Sequence, residues 1–163
     1  MICYFDTSAL VKLYVDEEGS ELVADYMQKC TFIATSKVAY AEARAAFARA
    51  GREGILDTQA YRDVVANFNE DWKFYFALEV SDSILQRVNT LVDKYPLRGF
   101  DALHLASSII LSRRLNGEKL LVACWDARLW DCYMQEGFSL IPGNRPAKYS
   151  SFSQCNNGYF APR

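Results

Sequence analysis

Short runs of strand-forming apolar residues alternate along this chain with stretches whose apolar positions recur every three or four residues. The first run, residues 2–5, stops at Asp6, and Thr7 and Ser8 then offer caps for a helix over 9–15. A polar turn at 16–20 follows, with Ser20 placed to cap a helix carrying Leu22, Val23, Tyr26 and Met27. Residues 32–35 read as a second strand, and Ser36 as the cap of a helix over 37–50 that Gly51 ends. Further helices are expected over 58–70, 84–94, 101–115 and 126–136, and strands over 74–80, 120–124 and 138–141. Strands separated by helices throughout imply a three-layer α/β/α sandwich around a parallel sheet of about five strands.

A strand that runs straight into a helix puts Asp6 at the carboxyl end of the strand, the edge where open α/β sheets bind ligands. Asp126 stands in the same relation to the run over 120–124. In a parallel sheet all such ends share one edge, and Asp101, after Arg98-Gly-Phe, can reach it too. Each of the three also reads simply as a residue at a helix start. Glu42 differs, because its neighbours one turn away, Val38 and Ala46, and the flanking Ala39 and Ala45 turn it toward the protein. An unpaired carboxylate there is costly, so it either meets Arg49 further along its helix or serves a site. Acids converging without a lysine among them repel one another unless a cation lies between them. With only oxygen donors on offer that cation is Mg²⁺, or Mn²⁺ in its place, rather than zinc. Such a centre activates water and stabilises phosphate in displacement, while helix N-termini welcome phosphate oxygens.

Bulk properties narrow the setting. The 163 residues are enough for one full core, and 51% hydrophobic with 23% charged residues is an ordinary globular balance. No apolar run reaches the roughly 18 residues of a membrane helix, and the opening run is not a signal peptide. Five cysteines without CxxC spacing and a single histidine disfavour zinc and fit a reducing cytoplasm, with the cysteines as small buried apolar residues. A net charge of −2 and a pI near 5.4 exclude a protein that coats nucleic acid by charge alone. From Pro142 onward prolines, serines and asparagines accumulate, so the chain divides into a domain over 1–142 and a flexible tail over 143–163.

Three segments, Ile2-Cys-Tyr-Phe-Asp-Thr-Ser-Ala-Leu, Ala39-Tyr-Ala-Glu-Ala-Arg and Arg98-Gly-Phe-Asp-Ala-Leu-His-Leu-Ala, occur in an order that resembles PIN-domain proteins, VapC-type toxins above all. The resemblance implies a Mg²⁺-dependent endoribonuclease with Asp6, Glu42, Asp101 and Asp126 as its catalytic, metal-holding acids. It also implies a homodimer, an RNA substrate and inhibition by a VapB-like antitoxin. The family usually carries Thr or Ser two residues before its last Asp, where this chain has Cys124, a poor hydrogen-bond donor. That departure supports the alternative of a catalytically weak PIN-like module that binds RNA or protein.

Ser8, more than Thr7, is a candidate for a hydroxyl beside the metal water. His104 reads as a core histidine, and the aromatic run 72–76 as core or dimer surface rather than a base-stacking platform. Lys12, Lys37, Arg44, Arg49, Arg52 and Arg98 are available to line an RNA path. Phosphoaspartyl hydrolases and receiver domains also place an acid after strand one. The former need a second Asp at position 8, which is Ser, and the latter need paired acids and a late lysine.

Overall fold

The computed structural model describes residues 1–147. In chain order it runs β1 (Ile2–Phe5), α1 (Thr7–Val11), α2 (Ser20–Lys29), β2 (Phe32–Ser36), α3 (Val38–Arg52) and α4 (Thr58–Asp71). After a 3-10 turn at Trp72–Phe74 come β3 (Phe76–Leu78), α5 (Asp82–Lys94), α6 (Gly99–Arg114), β4 (Leu120–Ala123), α7 (Ala127–Gln135) and β5 (Ser139–Ile141). The strands form one five-stranded sheet in the order β3-β2-β1-β4-β5. Every pairing in it is parallel, so the expected α/β architecture is present.

Period-two alternation along β1 explains the two cores. Cys3 and Phe5 face one side, where they join Ile33, Phe47 and Phe68 under α1 to α4. Tyr4 faces the other and joins Ala34, Val122, Leu105, Leu129 and Tyr133 under α5 to α7. Tyr4, Phe5, Phe47, Phe68, Leu105 and Leu129 are at most 1% exposed, each such burial stabilising the fold by about 1.5–3 kcal/mol. Covered on both faces, β1 reads as an unbroken apolar run rather than an alternating one.

The order of the strands positions the site. The chain lays β2 and β3 on one side of β1, then returns to place β4 and β5 on the other, so the sheet reverses direction between β1 and β4. Phe5 pairs with Ala123, and the Asp6 amide donates to the Ala123 carbonyl at 3.1 Å. Asp6 and residues 124–126 therefore leave the sheet side by side at its switch point, the usual ligand crevice of such sheets.

Several local expectations shift. Asp6, not Thr7 or Ser8, caps α1, and the helix ends at Val11 instead of continuing to 15. Lys12 turns inward there, donating to the Glu18 carbonyl at 2.7 Å and pairing with Glu17 at 3.0 Å, which folds the polar turn back. Gly19, at φ +92°, takes the cap of α2 expected of Ser20, whose hydroxyl instead binds the Glu17 amide and the Val15 carbonyl. Ser36 stays in β2, and α3 passes through Gly51 to Arg52. The third strand shrinks to 76–78 because Trp72 packs on Tyr40, Phe68 and Tyr75. Phe74 and Phe76 of the same aromatic run are exposed.

The cysteine reading is corrected as well. Cys3 on β1 and Cys30 after α2 form a disulfide across 27 residues, while Cys124 and Cys132 are buried free thiols and Cys155 lies outside the described residues. Of the tail expected over 143–163, Arg145 is held to Asp131 of α7 by bonds of 2.6 and 2.7 Å, and residues from 148 lie outside the described set. No helix among the described residues is long and apolar enough to cross a membrane.

Candidate active site

Asp6 is the most enclosed of the four acids, 3% exposed. Its Oδ1 accepts from the Ala9 amide at 2.9 Å, as the cap of α1, and the Ser8 hydroxyl donates to the same carboxylate at 2.7 Å. Ser8 Oγ in turn accepts the Trp125 amide at 2.7 Å, stitching the start of α1 to the strand end beside it. Ser8 is thus committed to orienting Asp6. Burial pushes the Asp6 carboxyl above the ordinary range, with the charge of His104, the bonds from Ser8 and Ala9 and the Cys124 thiol pulling the other way.

Glu42, in the second turn of α3, is held from two sides. Thr7 Oγ1 donates to its Oε2 at 2.5 Å, and His104 Nε2 lies 2.9 Å from the same oxygen. The alternative partner, Arg49, pairs instead with Glu53 at 3.4 Å. Burial alone would raise Glu42, but the His104 bond and charge together with Thr7 outweigh it and hold the carboxyl below its usual range. His104, 2% exposed, sits on α6, a helix buried around most of its circumference between the sheet and α5. Its other nitrogen, Nδ1, is 2.9 Å from the hydroxyl of Tyr4 on β1. The core-histidine expectation is therefore half right: the ring is buried, yet it is spent on a site carboxylate.

Asp101 lies in the first turn of α6, two residues inside a helix that starts at Gly99, so it is not the cap. Burial raises its carboxyl above the ordinary range, and next in size is the negative charge of Asp126, followed after the opposing Arg98 amide by that of Glu42. Asp126 caps α7, its Oδ1 accepting from the amides of Arg128 and Leu129 at 2.9 and 3.0 Å. That side chain is better held than Cys124 alone would suggest. The buried Cys124 thiol donates to the Asp126 backbone carbonyl at 3.5 Å and is pushed well up by burial and then by the charges of Asp6 and Asp126.

The charges of Asp126 and Glu42 thus bear on Asp101, those of Asp6 and Asp126 bear on Cys124, and Glu42 is bonded to His104. Among the described residues no three acid, cysteine or histidine side chains already stand as a metal-holding group. No Lys or Arg forms an ion pair with Asp6, Asp101 or Asp126 within the described residues. Glu42 and Asp126 each have one oxygen tied down by the protein, while Oε1 and Oδ2 accept no hydrogen bond from the described residues. Oriented carboxylates with one oxygen to spare suit a hard divalent cation in donor chemistry.

A model of the PIN domain family matches residues 3–120, which is most of the chain. This chain belongs to the PIN-domain family. Ribonuclease VapC45 of Mycobacterium tuberculosis (strain CDC 1551 / Oshkosh) is 35% identical over 128 residues, covering 78% of this PIN protein and 86% of the relative. Ribonuclease VapC49 of Mycobacterium tuberculosis (strain ATCC 25618 / H37Rv) matches to the same extent. A toxin-antitoxin complex from Klebsiella pneumoniae aligns at 20% identity and a TM-score of 0.47, over 73% of this chain and 83% of that one.

One residue of this PIN site, Tyr4, escaped sequence reasoning, because it looked like any core residue of β1. Thr7, weighed after Ser8 as a hydroxyl of the site, and His104, one turn after Asp101 and read as a core ring, are the two that bond Glu42.

Proposed function

We propose that this protein is an endoribonuclease toxin of the VapC type, with Mg²⁺ as its cofactor and Mn²⁺ able to replace it. The observation that carries the reading is Asp101, raised by burial and then by the charges of Asp126 and Glu42, in a set of acids that no Lys or Arg neutralises among the described residues. Asp6, Glu42, Asp101 and Asp126 would hold the metal. When bound, it would lower the pKa of water and offset charge on a phosphate. The protein's own part is orientation: the Ala9 amide and Ser8 aim Asp6, Thr7 and His104 aim Glu42, and the α7 amides aim Asp126.

The family and the VapC relatives support an RNA substrate, and the same kinship supports a VapB-like antitoxin, a homodimer and a cytoplasmic setting. A positively charged antitoxin side chain would be drawn to the acids by the charge that draws metal. The domain over 1–142 would carry all of this.

Total RNA incubated with purified protein, with Mg²⁺ or with chelator, tests the reading. Cleavage that needs metal and falls by several orders of magnitude in Asp6→Asn, Glu42→Gln and Asp101→Asn is expected. An Asp6→Asn variant that cuts at the wild-type rate would overturn it. The second reading, a weakly catalytic binding module, is favoured only by Cys124 and predicts RNA retained but uncut.

A further inference from the structure

We propose that Tyr4 and His104 are positioning residues that fix the rotamer of Glu42 before any ligand arrives; the inference rests on the metal-site reading above. Glu42 reaches the sheet edge from the middle of a helix turn, and its side chain has three rotatable bonds. Left alone it would sample several directions, and ordering it on metal binding would cost affinity.

The geometry removes that freedom in two steps. His104 Nε2 is 2.9 Å from Glu42 Oε2 and 3.0 Å from Thr7 Oγ1, while Thr7 Oγ1 donates to the same Oε2. The three atoms close a small triangle: the ring N–H is shared between carboxylate and hydroxyl, and the hydroxyl donates its own hydrogen bond to the carboxylate. One oxygen of Glu42 is thereby fixed by two donors, and Oε1 is left to point elsewhere. The triangle works only if the histidine's proton is on Nε2, and Tyr4 decides that. Its hydroxyl lies 2.9 Å from Nδ1, with the two rings edge to face at 6.0 Å between centroids. Tyr4 is fully buried on the central strand, and its hydroxyl, protonated like any ordinary phenol, stands where it can donate to Nδ1. A neutral ring with Nδ1 accepting from Tyr4 must carry its hydrogen on Nε2.

The relay spans three elements: β1 supplies Tyr4, α6 supplies His104 and α3 supplies Glu42. It does the work that a carboxylate or carbonyl often does behind a ligating side chain, one bond further from the metal, and losing such a support typically costs about 10–100-fold in metal affinity. His104 and Tyr4 touch neither RNA nor metal in this account.

The decisive variants are Tyr4→Phe, which removes one oxygen and keeps the ring, and His104→Gln, whose amide keeps a donor near the Nε2 position. Because the chain holds a single histidine, its ring nitrogens give one unambiguous pair of signals in long-range ¹H–¹⁵N spectra. Metal-free protein at about pH 9, where an ordinary imidazole is neutral, should show hydrogen on Nε2 alone. Tyr4→Phe should mix the two tautomers. Calorimetric Mn²⁺ titration should then show about tenfold weaker binding in Tyr4→Phe, partial recovery in His104→Gln relative to His104→Ala, and no further loss when Tyr4→Phe is added to Glu42→Gln. RNA cleavage by Tyr4→Phe should lose kcat with little change in KM. An unaltered tautomer in Tyr4→Phe would overturn the relay. So would an equal loss of Mn²⁺ affinity with and without Glu42, which would mark a general loosening of the fold. Failure of the nuclease reading looks different: the tautomer result would stand while wild type and Glu42→Gln bound Mn²⁺ equally.

Discussion

Gly19→Ala offers a test of the site's architecture that alters none of the four acids. Gly19 caps α2 at φ +92°, and a methyl built on it would lie 2.5 Å from Nε1, 2.7 Å from Cε2 and 2.8 Å from Cζ2 of Trp125. Two costs add. A left-handed backbone costs a non-glycine residue about 1–2 kcal/mol, and forcing a rigid, buried indole aside costs about 1–3 kcal/mol more. The sum, about 2–5 kcal/mol, lowers the melting temperature by about 5–15 °C in a domain of this size. Gly54→Ala isolates the first cost, because Gly54 has φ +74° and nothing within 4 Å of the added methyl. It should lose only about 2–8 °C. The difference between the two variants, read in matched thermal melts, is the indole's share. Trp125 also donates its amide to Ser8, which aims Asp6, so Gly19→Ala should slow RNA cleavage at a temperature where it is fully folded, while Gly54→Ala should not. If Gly19→Ala melts no lower than Gly54→Ala, the loop over 12–20 is not seated on Trp125 and the reasoning fails.

Asp101→Asn should stabilise the metal-free protein and abolish most of its melting response to Mn²⁺. Its carboxyl is raised in the folded state, so the folded protein binds more protons than the unfolded one. Stability is then full below the ordinary aspartate range and falls as pH climbs from that range through the raised value, a slope that Asp101→Asn should flatten in melts across acidic to neutral pH. Identical wild-type and variant slopes would contradict it. Reducing the Cys3–Cys30 bridge releases a loop of 27 residues and should cost about 3.5 kcal/mol, or about 7–14 °C, in melts with and without thiol; an unchanged melt of fully reduced protein would refute this. Cys124→Ser places a stronger donor against Asp6, opposing the burial that raises it, and should increase metal-dependent cleavage severalfold. A slower enzyme would mean that the hydroxyl does not fit the thiol's place.

What could be read from the residues was whatever is encoded over short range. Asp6 and Asp126 follow apolar strands, and parallel geometry alone places them on one edge. Glu42 faces inward because its helix neighbours are apolar one turn away. The contacts that escaped join residues far apart: Tyr4 with His104 across 100 positions, Ser8 with Trp125 across 117, Cys3 with Cys30 across 27. Each depends on which strands adjoin and how helices rotate over them, and a pattern of apolar positions carries neither. The displaced caps have a local cause. Polar residues near a helix start are interchangeable by propensity, and tertiary bonds decide which one caps, as when Ser20 serves the Glu17 amide and leaves Gly19 to begin α2.

The central place of β1 has a consequence in time. The strand is synthesised before the four it joins in the sheet, yet Ile2 pairs with Phe32 on one side and Leu120 on the other. A ribosome adding about 5–20 residues each second leaves β1 half-paired for about 4–17 seconds while α3 to α6 are made. Throughout that interval the crevice beside Asp6 lacks its second wall, and Asp126 does not yet exist. Asp6 and the segment that carries Asp126 therefore come together only after β4 is made. The same delay exposes the apolar edge of an unfinished sheet, which makes slow elongation a hazard of aggregation.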